Sequence, residues 1–424
     1  MRSSYKPIGR FIRLVKTRNA GLEVTELRGI RINKEFMPSV ANVIGTDLEN
    51  YKVVRKNQFA YNPMHVGRDG ILPIAQLDSE EPVIVSPAYV VFEIGNPDEL
   101  LPEYLMMWCR RPEFDRQAWF TTDSSVRGGF DWKDFCEMEM PVPSPEKQRE
   151  IVAEYETVVK RIALNEKLGR KLEETAQAIY KHWFVDFEFP MSAEDARKLS
   201  KPELEGKPYQ SSGGEMVFDE VLKTKIPLEW ETLSLGELGM IRGGKRLPLG
   251  LELQREKTAH PYIRVSDMGS MKFSNLTQNF QFLSSETQKL ISRYVVSPND
   301  VIISIVGTIG IVKVVDESLN GANLTENCAR IYGMQKIKPS YLFHYLSSEA
   351  GRQEIELRTV GGVQGKLPLY NISGLMLTVP PSCLVAKFEE MIRKVDRNLK
   401  QSIKGANLLS LLRDMILTRV VLAE

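Results

Sequence analysis

The feature that most constrains the fold is an internal duplication. Tyr104 matches Tyr341, which lies 237 positions later, and the same gapless offset carries Pro143 onto Pro380. Two unrelated amphipathic helices would not share one offset through both loops and helices. The 424-residue chain therefore contains the same structural unit twice.

Each copy of the repeat ends in a long helical segment. In the first copy, apolar side chains alternate 4 and 3 positions apart from Ile151 onwards, and an average spacing of about 3.5 is typical of a helix packed along another helix. Pro145 and Glu146 suit a first helical turn, because proline needs no N–H there and a carboxylate favours the positive end of the helix dipole. We predict that the two helices pack on each other through core positions Ile151, Tyr155, Ile162, Leu172, Ile179, Ile392, Leu399, Leu409 and Ile416.

The remaining sequence predicts two α+β domains. Residues 1–145 alternate β-rich runs with Gly and Pro turn signals and include one amphipathic helical run, and the pattern restarts at Ile226. The intervening stretch is rich in Pro, Gly, Ser and charge, which predicts a connection on the surface. The predicted order is an α+β domain at 1–145, a long helix at 146–186, a surface linker at 187–225, a second α+β domain at 226–382 and a second long helix at 383–424.

Composition excludes several classes of protein. The formal net charge of +1 argues against a histone-like binder, although basic side chains outnumber acidic ones in residues 1–60. Such a run is compatible with a nucleic-acid-binding face and with a solvated surface. Since no apolar run reaches the length of a signal peptide or a membrane span, we expect a cytoplasmic protein with no membrane contact. The 4 cysteines are far apart, so we expect them to be reduced, and we predict no metal site.

The motifs that would indicate catalysis are incomplete. GGVQGKL resembles a phosphate-binding loop, but Leu367 follows Lys366 where that loop needs Ser or Thr. The tetrapeptide at 62–65 departs from the Asn-Pro-Pro-aromatic signature of amino-methyltransferases at Met64 and His65. We therefore predict no catalytic residue and no cofactor.

Polar, glycine-containing loops carry side chains that suit a nucleic-acid surface. Arg, Gln and Lys are suited to guanine and adenine edges or to phosphate, and glycine lets the backbone approach a phosphate closely. The same loops are compatible with plain turns or solvated surface. The candidate residues are Arg68, Thr122, Ser125 and Arg127 in the first copy, and Arg242, Lys245, Arg246, Thr308, Gln364 and Lys366 in the second.

Several segments carry a family resemblance. They are FAYNPMHVGRDG, HWFVDFEFP followed by GKPYQSSGGEMV, and PVPSPEKQREI, set within two α+β domains that alternate with two long helices. Over essentially its whole length, the chain resembles the specificity (S) subunit of type I restriction-modification systems. The resemblance implies that each α+β domain is a target-recognition domain for one half of a bipartite site in double-stranded DNA, and that the helices pack as an antiparallel coiled coil.

The resemblance also implies partners. The paired helices would dock modification (methyltransferase) subunits, two of them, and restriction (translocase and nuclease) subunits would join through the complex. The specificity subunit itself would be non-catalytic. Because the two domains differ in sequence, we predict an asymmetric target split by an unread spacer, and half-sites on one face of DNA recur about every 34 Å.

Two other functions stay open on the residues alone. One is a coiled-coil scaffold whose domains bind proteins, and the other is a stand-alone DNA methyltransferase. The incomplete motifs count against the methyltransferase. Salt-dependent DNA affinity would distinguish the specificity subunit from the scaffold.

Overall fold

The fold is available from a computed structural model of the chain. It describes residues 5–39, 46–122, 129–277, 279–362 and 365–422, without the side chains of His65, Arg68, Val421 and Leu422. Contacts divide the chain into two compact units. Unit 1 is Met1–Ala163 with Leu408–Glu424, and unit 2 is Leu164–Asn407.

Unit 1 is built on short antiparallel strands. Their bounds are β1 (Tyr5–Pro7), β2 (Ile12–Leu14), β3 (Arg28–Ile30), β4 (Phe36–Pro38), β5 (Lys52–Val54), β6 (Phe59–Tyr61), β7 (Ile74–Gln76), β8 (Val83–Val85), β9 (Val90–Ile94) and β10 (Glu139–Pro141). The main sheet has the order β2-β9-β6-β7, while β1 pairs with β10, β3 with β4 and β5 with β8. Its helices are α1 (Val66–Asp69), α2 (Pro102–Cys109), α3 (Pro112–Thr121) and α4 (Trp132–Glu137).

Aromatic side chains fill the core of unit 1. The rings of Phe59 and Phe92 stack with centroids 4.9 Å apart, and Tyr61 packs edge-on against Phe130 at 6.1 Å. Helices α2 and α3 each begin with a proline, at Pro102 and Pro112, where the missing N–H interrupts no helical hydrogen bond. The core therefore lies between the main sheet and these helices.

Unit 2 begins within the first long helix, α5 (Pro145–Phe184). Its further helices are α6 (Ala193–Lys198), α7 (Leu235–Leu238), α8 (Ser285–Leu290), α9 (Pro339–Ser347), α10 (Glu349–Leu357), α11 (Leu369–Ser373) and the second long helix, α12 (Ser382–Leu422). The strands are β11 (Met216–Asp219), β12 (Thr224–Pro227), β13 (Glu231–Ser234), β14 (Met240–Gly243), β15 (Pro261–Ile263), β16 (Phe273–Ser274), β17 (Gln281–Phe282), β18 (Val301–Ser304), β19 (Val312–Val315), β20 (Asn323–Leu324), β21 (Cys328–Tyr332) and β22 (Met376–Val379).

Two sheets of unit 2 match sheets of unit 1. The main sheet has the order β14-β21-β18-β19-β16, so its first four strands match β2-β9-β6-β7. The pair β13-β22 matches the pair β1-β10. A second sheet, β17-β15-β20, and the hairpin β11-β12 complete unit 2.

The helices repeat at the offset found in the sequence. Four pairs of helices begin at residues that are 237 positions apart: α2 and α9, α3 and α10, α4 and α11, and α5 and α12. The predicted fold class is confirmed, since both copies are α+β and each ends in a long helix. The long helices span 145–184 and 382–422, where the sequence predicted 146–186 and 383–424.

The long helices run antiparallel. In unit 2, the Ser402 hydroxyl donates to the Asn165 carbonyl oxygen at 2.7 Å, and the rings of Tyr180 and Phe388 lie 6.1 Å apart. From the first contact to the second, the residue number increases in α5 and decreases in α12, so the two helices run in opposite directions. In unit 1, Arg419 of α12 pairs with Glu154 of α5 at 2.7 Å.

The predicted positions of the helix-pair core are buried to different degrees. Ile151, Tyr155 and Ile416 are buried in unit 1, with Ile162 and Leu409 packed at the edge of the same core. In unit 2, Ile392 and Leu399 are buried and Leu172 and Ile179 are partly buried. The buried Gly169 interrupts the row of apolar side chains between the helices. A larger residue does not fit there, because a Cβ would lie 2.7 Å from the Met271 sulfur.

The segment 187–225 differs from the predicted surface linker. It contains α6 and β11, and its residues Phe189, Met191, Ala196 and Tyr209 are buried. The Phe189 ring stacks on Tyr209 at 4.6 Å and on Trp230 at 5.4 Å. A few well-spaced aromatic and apolar residues therefore hold this Pro- and Gly-rich segment against the core of unit 2.

Candidate nucleic-acid interface

Two loops of unit 2 bring predicted contacts together. The loop 305–311 follows β18, and the loop 358–367 follows α10; Leu367 N–H donates to the Ile305 oxygen at 2.9 Å, and Val306 forms a β-bridge with Lys366. Lys366 also exchanges two 2.8 Å backbone hydrogen bonds with Val360. Thr308 and Lys366 consequently lie on adjacent loops with exposed side chains and a fixed backbone. Gln364 lies outside the described residues.

Unit 1 has the same loop contact. Phe130 N–H donates to the Pro63 oxygen at 3.0 Å, and Phe130 is the counterpart of Leu367 at the offset of 237. The Thr122 hydroxyl donates to the Ala118 oxygen at 2.7 Å, so it is used at the end of α3. Ser125, Arg127 and the side chain of Arg68 lie outside the described residues.

The two glycine-containing loops have different conformations. VGRDG forms the short helix α1, which is followed by Gly70 at φ 65°. VGTIG is an irregular loop with positive φ at Gly307 and Gly310, a backbone region that favours glycine. The interpretation of VGRDG as a plain turn between strands is therefore wrong for Val66–Asp69, because the residues adopt helical geometry.

A third candidate segment, which we call the basic loop, is Arg242–Arg246 at the end of β14. The Gly244 N–H donates to the Cys328 oxygen at 2.9 Å and the Lys245 N–H to the Leu324 oxygen at 2.8 Å. Gly244 is required here, because a Cβ would overlap the Thr325 carbonyl oxygen. The backbone of the basic loop is thus held tightly against residues 324–328.

The cations of the basic loop are not equivalent. The Arg246 Nε lies 2.7 Å from the Glu326 carboxylate, so that charge is partly neutralised. The guanidinium carbon of Arg242 and the Lys245 Nζ lie 5.4 and 5.9 Å from the ring centroid of Tyr294, and neither side chain forms an ion pair within the described part of the chain. Burial raises the pKa of Tyr262, so its hydroxyl stays protonated and donates to the Lys245 oxygen at 2.8 Å.

Tyr294 is not among the contacts predicted from the sequence. It lies about fifty positions beyond Arg242 in a segment without a recognisable motif, and only the folding of the chain brings the two together. No local signal in the sequence could have identified it.

Part of the basic excess in residues 1–60 is neutralised in the fold. Carboxylates pair with the basic side chains at Arg13–Glu93, Arg28–Glu26, Lys34–Asp115 and Lys56–Glu80. Lys34 is buried, and burial lowers the pKa of Lys34 and raises the pKa of Asp115. The basic run is therefore a weaker candidate for DNA binding than its composition indicates.

In the described ranges, no helix combines the length and the apolar character needed to cross a bilayer. Across the same ranges, no group of three or more His, Cys, Asp or Glu side chains is placed to hold a metal ion.

Comparison with known proteins shows which family the chain resembles. A family model described as Type I restriction modification DNA specificity domain matches residues 227–398. The chain is 22% identical over 435 residues to the type I restriction enzyme HindI specificity subunit of Haemophilus influenzae, covering 93% of this chain and 92% of the relative. The chain is therefore similar, over most of its length, to type I restriction-modification specificity subunits.

Another relative and a solved structure are also similar to the chain. The MjaIX specificity subunit of Methanocaldococcus jannaschii is 22% identical over 296 residues, which is 68% of this chain and 61% of the relative. The crystal structure of an S subunit from M. genitalium is 15% identical, covers 98% of this chain and 95% of its own, and superposes with a TM-score of 0.50. That likeness concerns the fold alone. Specificity subunits of type I systems are non-catalytic members of their complexes.

Proposed function

We propose that the chain reads an asymmetric, bipartite site in double-stranded DNA for a type I restriction-modification complex, in which it supplies recognition and no catalysis. The α+β domain of unit 1 reads one half-site and that of unit 2 reads the other. The observation that carries the proposal is a duplicated frame with equivalent loop pairs and different loop residues. The matching folds of the two α+β domains support equivalent roles in DNA recognition. The different residues in their loops support different half-site sequences.

The candidate contacts differ in their support. Arg242, Lys245 and Lys366 are exposed cations on backbone that is held in place, and such groups suit phosphate or guanine. Thr122 and Arg246 have weaker support, because each already has a partner within its unit. The other proposed contacts are Arg68, Ser125, Arg127, Thr308 and Gln364.

The long helices are proposed to serve as the spacer and to dock two modification subunits, with restriction subunits joining through the complex. An apolar stripe on α12 supports a protein partner. Leu408, Leu411, Leu412 and Met415 are exposed, and Met415 is 63% accessible. Their spacing puts them on one face of the helix, which is how an amphipathic helix presents anchors to a partner.

Methylation mapping tests the proposal. The chain would be expressed with its modification subunits in a host without other methyltransferases, and the methylated sites would be determined by sequencing. Replacing residues 1–140 with those of a relative should change only one half of the recognised sequence. If both halves change, or if no bipartite motif emerges, the two-reader proposal is wrong.

A further inference from the structure

We propose that Arg242, Lys245 and Tyr294 form a clamp for one phosphodiester group of the DNA backbone, with Tyr294 as the positioning residue. The inference rests on the proposed function and adds to it a specific ligand group and an asymmetry. The clamp belongs to unit 2, and unit 1 has no equivalent among its described residues.

The geometry places two cations at one aromatic ring. The Arg242 guanidinium carbon lies 5.4 Å and the Lys245 Nζ 5.9 Å from the Tyr294 centroid. Both distances are within the range of a cation–π attraction. The ring itself is fixed, since it packs against the small core of Tyr262, Leu283 and Ile291. Tyr294 thus limits how far the two cations move apart.

The backbone between the two cations is equally fixed. Hydrogen bonds from Gly244 and Lys245 N–H hold it to residues 328 and 324, and the Tyr262 hydroxyl binds the Lys245 oxygen. No side chain fits at position 244. A loop that is already ordered loses little conformational entropy when a ligand binds, so its contacts contribute more of their energy to affinity.

The charge at this site favours an anion. Neither Arg242 nor Lys245 meets a carboxylate among the residues described, whereas Arg246 on the same loop pairs with Glu326. Two like charges held near one ring repel each other, and an anion between them relieves that repulsion. A phosphodiester is the anion that a DNA-reading surface meets, and Arg and Lys are the side chains that contact it.

The matching strand of unit 1 lacks this free charge. Arg13 on β2 lies opposite Glu93 on β9 and pairs with it at 2.7 Å. In unit 2, Arg242 on β14 lies opposite Arg330 on β21. Arg330 is already engaged by the Tyr332 ring at 3.8 Å and by Asp300 at 3.4 Å. Of the two matching edge strands β2 and β14, both within the described residues, β14 carries a cation without an ion pair, Arg242, whereas Arg13 of β2 is paired.

Salt-dependent binding tests the clamp. The full chain, assembled with its modification subunits, is titrated onto a duplex carrying its mapped site over a series of salt concentrations. Arg242→Gln and Lys245→Gln should each lower the slope of log K against log salt by about 1. Lys336→Gln is the control in unit 2 and should change the slope much less, because the Lys336 ammonium already pairs with Glu231 at 2.6 Å and lies outside the proposed contacts. Thermal melting of each variant checks that unit 2 remains folded.

The role of Tyr294 has its own test. Tyr294→Leu should weaken binding about five- to tenfold, whereas Tyr294→Phe, which keeps the ring, should stay within about twofold of the native chain, given the usual strength of a cation–π contact. Equal losses in both variants would overturn the positioning role. If the unaltered chain binds its mapped duplex but Arg242→Gln and Lys245→Gln leave the salt slope unchanged, the clamp is wrong and the proposed function stands. If the unaltered chain binds no specific duplex, the clamp and the proposed function both fail.

Discussion

The two units attach their sheets to the long helices by different chemistry. In unit 1, Val152 and Val159 of α5 pack against the aromatic core. At the matching positions of α12, 237 residues later, unit 2 has Glu389 and Asp396. Lys272, which is 2% exposed, reaches across to Asp396 at 2.7 Å and to the Ser340 hydroxyl at 3.3 Å. The same frame thus tolerates either an apolar or an ionic attachment.

The ionic attachment of unit 2 extends beyond one pair. The Lys272 N–H donates to the Glu173 carboxylate, and the Lys313 Nζ donates to the Met271 oxygen at 2.6 Å. Burial lowers the pKa of Lys272, lowers the pKa of Lys313 to about 8, and raises the pKa of Glu173 and of Glu389. These charges are costly to bury, so the network favours one register of sheet on helix and tolerates the loss of a member poorly.

The largest predicted effect comes from breaking this network. Lys272→Met should destabilise unit 2 by about 3 kcal/mol, because it removes a buried cation and leaves the partly buried Asp396 carboxylate, 16% exposed, without its partner. Chemical denaturation measures the loss, and hydrogen exchange resolved by peptide shows which unit opens. Val159→Ala at the matching apolar position of unit 1 is the control and should cost about 1 kcal/mol, as a partly buried aliphatic truncation does. The double variant Lys272→Met/Asp396→Leu should recover most of the stability. If hydrogen exchange shows that Lys272→Met opens unit 1 and not unit 2, the comparison is contradicted.

A smaller effect is expected where the units share a glycine. Gly9 packs against α4 and Gly236 against α11, and a Cβ at Gly9 would lie 2.8 Å from the Cys136 Cβ and 3.0 Å from its oxygen. A Cβ at Gly236 would overlap the Ser373 Oγ, which a side-chain rotation removes. Gly9→Ala should therefore cost about 2–3 kcal/mol and Gly236→Ala about 1 kcal/mol, within the usual range for overpacking.

Thermal unfolding of the glycine variants decides between backbone and side-chain conflict. Gly236→Ala combined with Ser373→Ala should melt close to the native chain, because the overlapping hydroxyl is gone. The Gly9 variant has no such remedy, since Cys136 opposes it with its Cβ and backbone. Equal losses at both glycines, with no recovery in the double variant, would show that the two contacts are equally rigid.

A pH-dependent difference comes from His344, whose counterpart in unit 1 is the buried Met107. Burial lowers the pKa of His344 well below its usual value, with Lys272 adding to the effect. The ring Nδ1 donates to the Gln177 side-chain oxygen at 2.8 Å, and Tyr180 stacks nearby. Because folding favours the neutral ring, its contribution is complete above the unfolded pKa of about 6.5 and is lost as the pH falls, by up to about 1.4 kcal/mol per pH unit.

His344→Met, which installs the residue of unit 1, should remove that dependence. Denaturation of both proteins between pH 7.5 and pH 5 measures the difference in slope. The raised pKa values of Glu173 and Glu389 act in the opposite direction in both proteins and cancel in the difference. Parallel pH profiles for the two proteins would show that His344 does not control the acid sensitivity of unit 2.

Periodicity and the repeat offset predicted much of the fold, because hydrophobic period is visible in a short window and the offset recurs throughout the repeat. The offset of 237 gave the pairing of α2 with α9 and of α5 with α12 before any coordinates. The chemistry that distinguishes the units depends on distant residues. Lys272 and Asp396 are separated by 124 positions and Arg13 and Glu93 by 80, so neither pair has a signal in a sequence window.

The candidate site shows the same limit. Polar, glycine-containing loops indicated where the chain could approach DNA, and the structure places Thr308 and Lys366 on adjacent loops. Sequence alone did not separate the free cations Arg242 and Lys245 from the paired Arg246, because Glu326 reaches Arg246 from another strand connection. The average composition of residues 187–225 predicted a surface linker, but four buried side chains hold that segment against the core of unit 2.

The smallest predicted effect would make unit 1 resemble unit 2. Glu93→Gln keeps the shape of the side chain and removes the charge that neutralises Arg13, whose side chain is 69% exposed. If Arg13 occupies the place on its sheet that Arg242 occupies in unit 2, the freed cation should raise the salt slope of DNA binding by up to about 1. The affinity gain should be about twofold or less, because an exposed ion pair contributes little. Arg13→Gln in the native background should leave the slope unchanged, since that charge is already paired. The salt slope could also rise in Glu93→Gln and stay equally high in the double variant Glu93→Gln/Arg13→Gln. The gain would then come from the lost negative charge and not from Arg13, and β2 and β14 would not be equivalent in how they meet DNA.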